Sequence, residues 1–167
     1  IYTMGRILVV DDEQSIIDSL SLILRHEKYE VDGCLDGPSA LQKVRNEDYD
    51  LILLDIKMPR MDGMEVLQEL MEINPDFVVI MISGHGTIET AVDAVKLGAY
   101  NFLQKPLPDL QELKIIIRNA VEFKKSRDEL TRLKKSLLED TRIVGKSEKI
   151  ENVLELINKF SDLSSNV

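Results

Sequence analysis

Three acidic positions, one hydroxyl and one lysine hold the residue types that could do chemistry in this 167-residue chain: Asp11 with Asp12, Asp55, Ser83 and Lys105. Each follows a short apolar run. Asp11 and Asp12 come after ILVV, Asp55 after LILL, Ser83 after FVVIMI and Lys105 after NFLQ. Carboxylates brought together repel, by ~4 kcal/mol for two like charges about 4 Å apart at an effective dielectric of about 20. Something positive must sit among them. Mg²⁺ fits, because it takes hard oxygen ligands, keeps waters and commonly uses one or two carboxylates plus phosphate oxygens. No His or Cys cluster competes for a softer metal. Lys105 brings a second positive charge, a compact ammonium that can hold a phosphoryl oxygen. A carboxylate beside a divalent cation, a lysine and a hydroxyl makes a phosphoryl acceptor. Asp55 is the predicted acceptor, since it stands alone after the central apolar run, whereas the Asp11–Asp12 pair is better placed to hold metal. The product, a labile acyl phosphate, suits a reversible signal.

Taken singly, these residues have plainer readings. An acid after a strand is usually a solvated loop residue, and Asp12 or Glu13 could simply cap the helix that begins at Gln14. Ser83 before Gly84 is by default a turn residue. His85 reads as a loop histidine, and His26 as a helix end favoured by the dipole. The joint placement argues against this set of readings, because every member holds the same relative place in its own unit.

Those units are a strand followed by a helix. Strands are expected at Ile7 to Val10, Glu30 to Cys34, Leu51 to Leu54, Val78 to Ile82 and Tyr100 to Leu103. Helical spacing separates them, in Ile16, Leu20, Ile23 and Leu24, in Ala40, Leu41 and Val44, in Met64, Leu67, Leu70 and Met71, and in Ile88, Ala91, Val92 and Val95. Asp36-Gly-Pro and Asp62-Gly open helices, while Asn74-Pro75 and Gly98 close them. Near-continuous apolar strands alternating with helices predict an α/β fold, a doubly wound parallel sheet covered on both faces. Ligands then bind beyond the carboxyl ends of the strands, so all five residues converge on one rim.

The composition, 44% hydrophobic and 31% charged, is that of a globular chain. Its net charge of −9 is uneven: residues 1–108 hold 9 Lys and Arg against 19 Asp and Glu, while residues 109–142 hold 9 against 7. The acidic front disfavours nucleic acid and suits a metal ion or a cationic partner. No apolar run approaches the ~20 residues of a membrane helix, and a cytoplasmic location with no membrane partner is expected. Ile1, Tyr2 and Thr3 precede a Met-Gly start at Met4 and read as residues left from expression. The single Cys34 cannot make an internal disulfide, and reads as a small buried apolar residue.

From Asp109 the pattern changes. Asp109-Leu-Gln-Glu112 resembles a capping box, and helical spacing runs on to about Leu138. Ile116, Phe123, Leu130 and Leu137 recur every seven residues, flanked by Leu113, Ala120 and Leu133, with Arg127 and Lys134 interrupting the second apolar position. This is the pattern of a coiled-coil seam, set against the alternative of an amphipathic helix packed on its own domain. Residues 143–167 hold a further apolar-periodic helix too short for its own core.

VVDDE, LILLDIKMPRMDG, ISGHGT and KP together resemble the receiver domain of bacterial response regulators, over residues 5 to about 120. GHGTIETAVDAVKLGAYNFLQKPL is similar to the receivers of NtrC-type activators of sigma-54 transcription, and IVGKSEKIENVLELINK to the opening of their AAA+ ATPase domain. The resemblance implies a flavodoxin-like sheet of order 2-1-3-4-5 with an extended C-terminal helix. It implies a receiver at 4–122, a helical linker at 123–142 and a truncated AAA+ start at 143–167. It further implies that Asp55 is phosphorylated by a sensor histidine kinase and that Mg²⁺ is held at Asp55 and by Asp12 directly, by Asp11 largely through water and by the backbone carbonyl of Lys57. Ser83 and Lys105 would contact the phosphoryl group. Ser83 and Phe102 would form the switch, with Ser83 where Thr is commoner and Phe102 in place of the frequent Tyr. Lys105–Pro106 would be cis, and Lys57 and His85 would tune hydrolysis. The output would be homodimer contacts through Ile116, Phe123, Leu130 and Leu137, governing an attached AAA+ domain and, through it, sigma-54 RNA polymerase.

A pseudo-receiver that only dimerises is the rival from another class, and its usual mark, loss of an acidic or lysine position, is missing. An aspartate-nucleophile phosphatase wants a second acid two residues on, where Lys57 stands. A phosphate loop at Gly145-Lys146-Ser147 needs a glycine where Asp140 stands, so no ATPase activity is expected of this chain.

Overall fold

In the computed structural model, which describes residues 2–144 and 155–159, five strands alternate with five helices. They are β1 (Gly5–Val10), α1 (Gln14–His26), β2 (Tyr29–Cys34), α2 (Gly37–Asn46), β3 (Leu51–Asp55), α3 (Gly63–Ile73), β4 (Val79–Ser83), α4 (Ile88–Leu97), β5 (Asn101–Gln104) and α5 (Leu110–Val144). All strand pairs are parallel, in the order β2-β1-β3-β4-β5. The expected order and class are those observed.

The period of two along each strand divides the core into two layers. Ile7, Val9, Leu51, Leu53, Ile80 and Ile82 face Ile17, Leu20 and Leu24 of α1 and Leu113, Ile117 and Ala120 of α5. Leu8, Val10, Ile52, Leu54, Val79 and Met81 face α2, α3 and α4. Central strands buried on both faces explain why their sequences read as unbroken apolar runs. Each such side chain contributes roughly 1.5–3 kcal/mol of burial. Cys34 lies in the second layer, where burial pushes its thiol up to about 12 and leaves it unreactive.

The helix starts follow their sequence signals. Asp36, Asp62, Thr87 and Asp109 each accept a hydrogen bond from the backbone N–H three residues on, at 2.8–3.1 Å. Gly98 closes α4 in the left-handed region, φ 116°. α1 differs, because its N-cap Glu13 makes no side-chain capping bond, and the capping alternative for Asp12 and Glu13 fails there. α5 also outruns its expected end near Leu138, since no Gly or Pro occurs between Pro108 and Gly145 to stop it.

The chain divides into two units, the first ending at Lys124 and the second starting at Lys125. In the first, Ile116 and Phe123 are half-buried against the α1–α5 layer, and the Phe123 ring lies 5.1 Å from that of Tyr100. In the second, Leu130 and Leu137 are half-covered and Leu133 is exposed. The AAA+ opening expected at 143–167 falls largely outside the described residues, of which 155–159 are helical.

Candidate phosphoryl-acceptor site

Parallel strands end together, and that is what assembles the site. Asp11 follows β1, Asp55 is the last residue of β3, Ser83 the last of β4, and Lys105 follows β5. Carboxylate oxygens of Asp11, Asp12 and Asp55 lie within 4.8 Å of one another. Lys105 Nζ stands 3.3 Å from Asp11 Oδ2 and 3.7 Å from Asp55 Oδ1, between the two acids that are almost fully buried, at 2% and 5% exposure. Asp11, Asp12 and Lys105 are thus brought together with Asp55.

The electrostatics follow from that crowding. Burial, then the charge of Asp11, raises the Asp55 carboxyl to about 6, against a smaller lowering by Lys105. Burial alone would lower the Lys105 ammonium, but Asp55 and Asp11 outweigh it and raise the group. One lysine thus leaves Asp55 under-compensated. The donor set suits a hard divalent cation: only oxygens are offered, and Asp12 is exposed, its carboxylate making no hydrogen bond or ion pair among the described residues. Asp11 is more committed, since Oδ1 accepts the Glu13 N–H at 2.9 Å while Oδ2 faces Lys105.

Ser83 is buried beside Asp55's strand, and its Oγ accepts the N–H of His85 at 3.3 Å. His85 itself is exposed. Lys57 lies two residues past Asp55, with an exposed side chain. Phe102 is half-buried in the second core layer, and Lys105–Pro106 is cis.

Two glycines shape the pocket, and sequence reasoning did not give them that role. A Cβ on Gly63 would lie 2.2 Å from the carbonyl oxygen of Asp55, and the Gly63 N–H donates to Ile56 O at 2.7 Å. The loop from β3 folds back onto the backbone of Asp55, which only glycine permits. A Cβ on Gly86 would lie 2.5 Å from Phe102 Cζ and 3.3 Å from Ser83 Cβ, so this glycine is the slot in which hydroxyl and ring meet. Asp62-Gly63 was legible as the opening of a helix, and Gly86 carried no reading of its own; the contacts of both are long-range and leave no local signal.

Residues 7–118 match the family described as response regulator receiver domain. The chain is 36% identical over 163 residues to the nitrogen assimilation regulatory protein NtrX of Azorhizobium caulinodans, covering 96% of this chain and 36% of that protein. It is 41% identical over 115 residues to the transcriptional regulatory protein ZraR of Klebsiella oxytoca, covering 69% and 26%. The solution structure of the beryllofluoride-activated NtrC4 receiver domain dimer superposes with a TM-score of 0.67 at 43% identity, over 71% of this chain and 98% of that one. The chain thus spans about a third of its NtrX relative's length.

Proposed function

The chain belongs to the response regulator receiver domain family, and on that premise we propose that it is a phosphorylation-dependent switch whose acceptor is Asp55. The observation that carries this reading is Lys105 Nζ at 3.3 and 3.7 Å from Asp11 and Asp55 inside a cluster of three carboxylates. A buried acid held at about 6 is still ionised in its majority at neutral pH, and it ends β3 on the rim where the neighbouring Asp12 is exposed. An Asp55 oxygen attacks phosphorus in line, the bond from phosphorus to the donor's imidazole nitrogen breaks, and the imidazole leaves with that electron pair and takes up a proton. Lys105, drawn from the two carboxylates, neutralises one phosphoryl oxygen, and Ser83 Oγ–H donates to another. Mg²⁺, held by Asp11, Asp12, Asp55 and the Lys57 carbonyl, would supply charge neutralisation for the remaining oxygen.

The donor is a sensor histidine kinase. On phosphorylation Ser83 moves inward, Phe102 takes the space released beside Gly86, and the surface of β5 and α5 changes its packing. That change regulates homodimer contacts along Ile116, Phe123, Leu130 and Leu137, and through them an AAA+ domain acting on sigma-54 RNA polymerase in the cytoplasm. Resemblance to the NtrX and ZraR regulators, and the dimer named for the NtrC4 receiver, support this output. Among the described residues no helix is long and apolar enough to cross a membrane.

The test is intact mass after incubation with Mg²⁺ and a small acyl phosphate or phosphoramidate. One phosphoryl group is expected on the parent and none on Asp55→Asn. No adduct on either, with an active donor, would instead favour a pseudo-receiver that only dimerises.

A further inference from the structure

Helix α1 turns Ile17, Leu20, Ser21 and Leu24 to the sheet. On its outer side Asp18, Leu22 and Arg25 follow at i, i+4 and i+7, one above another on a single stripe. The stripe reads acid, apolar, base. Leu22 is 74% exposed and forms a ridge between two grooves. One groove runs along the open edge of the sheet and is shared with Gly33, Leu35 and Lys43; the other is shared with Ile23, His26 and Leu110. A lone exposed leucine needs no explanation, but one centred between opposite charges, with a charged and polar groove on the sheet-edge flank and an apolar hollow on the other, has the form of a contact surface.

We propose that this face is an interface between two copies of this chain, with α1 packed antiparallel on its counterpart about a two-fold axis beside Leu22. A two-fold contact must be complementary to itself. Setting Asp18 against Arg25 of the partner subunit makes positions 18 and 25 mirror each other, and the midpoint falls between Ser21 and Leu22. The ridge therefore meets the ridge, with an ion pair on either side. A parallel arrangement would instead set acid on acid. The opposite bank of the edge groove repeats the order, Asp36 at the start of α2 and Lys43 further along it. Strand pairing at this edge is the weaker alternative, because the Arg25 guanidinium donates to the outward carbonyl of Val31 at 3.1 Å and covers it. An interface of one helical stripe is in the weak, transient class and gains strength where another contact has already gathered the copies. It acts on the unmodified chain, so it stands apart from the acceptor role of Asp55.

Leu22→Cys tests it by cross-linking of the full chain, with diamide oxidising two thiols to one disulfide. The native Cys34, 7% exposed, serves as background. Leu22→Cys should form the covalent dimer about tenfold faster than Gln42→Cys on the exposed side of α2. Adding Asp18→Arg or Arg25→Asp should each slow that rate about fivefold, because each reversal turns two attractions into repulsions, and adding both should restore it. A folding defect would not be rescued by the second reversal. Equal rates for Leu22→Cys and Gln42→Cys, or a double reversal as slow as the singles, would overturn the proposal. So would unchanged cross-linking in Leu22→Cys charge variants that lose only phosphoryl uptake from a phosphohistidine donor domain, since the face would then belong to that donor.

Discussion

Asp55 is a charge kept where charge is disfavoured. Its carboxyl sits at about 6 against a usual 3.8, so the folded state binds the proton more tightly than the unfolded chain. Below about pH 4 both states are protonated and no penalty arises. As pH rises toward 6 the unfolded chain ionises first and stability falls; above that the full penalty persists, on the order of 3 kcal/mol. Asp55→Asn should therefore be more stable than the parent at pH 7 in metal-free buffer, by about 1–3 kcal/mol in denaturant unfolding, and the two should converge below pH 4. Mg²⁺ should narrow the gap by stabilising the parent selectively. The residue types of this site were legible because each chemical group sits next to its own apolar run. The ordering among the acids was not: that Asp11 is tied to Lys105 and the Glu13 N–H, leaving Asp12 open, depends on side-chain directions that spacing does not encode.

At the scale of elements, the strands and the helix starts at Asp36, Asp62 and Asp109 could be read directly, because buried apolar runs and N-cap chemistry both leave local patterns, whereas Thr87 was not read as a cap and Asp12 and Glu13 do not act as one. Asp36, Asp62, Thr87 and Asp109 all cap as Asp, Ser, Thr and Asn do in general. What the pattern hid was the reach of the loops across the sheet ends. Gly63 is the clearest instance, for its missing side chain lets the β3–α3 loop close over the Asp55 carbonyl. Gly63→Ala should cost about 2–4 kcal/mol, since the obstructing atom is backbone and cannot swing aside. It should also slow phosphorylation of whatever folds, because the backbone that moves belongs to the acceptor. Chemical denaturation and the initial rate of adduct formation check the two parts separately.

For the whole molecule, the uneven roles along α5 matter most. Leu113, Ile117, Ala120 and Val121 are spent on the domain's own core, and Ile116 and Phe123 are already half-buried against it. The seven-residue spacing could not distinguish this packing from a seam, since both use the same face of a helix. Leu130 and Leu137, in the second unit, are then the positions expected to govern the proposed dimerisation. Leu130→Asp with Leu137→Asp should weaken the dimer at least about tenfold in sedimentation equilibrium while leaving the receiver's near-ultraviolet spectrum unchanged.

If the strand ends act as proposed, Asp55, and no neighbouring acid, is the acceptor. Trapping settles it most directly. After phosphorylation in Mg²⁺, hydroxylamine attacks the acyl carbon, expels phosphate and leaves a hydroxamate that tandem mass spectrometry can place. The hydroxamate is expected at Asp55 alone; finding it at Asp11 or Asp12, or at no residue of a chain that has gained a phosphoryl group, would rule out Asp55 as the acceptor.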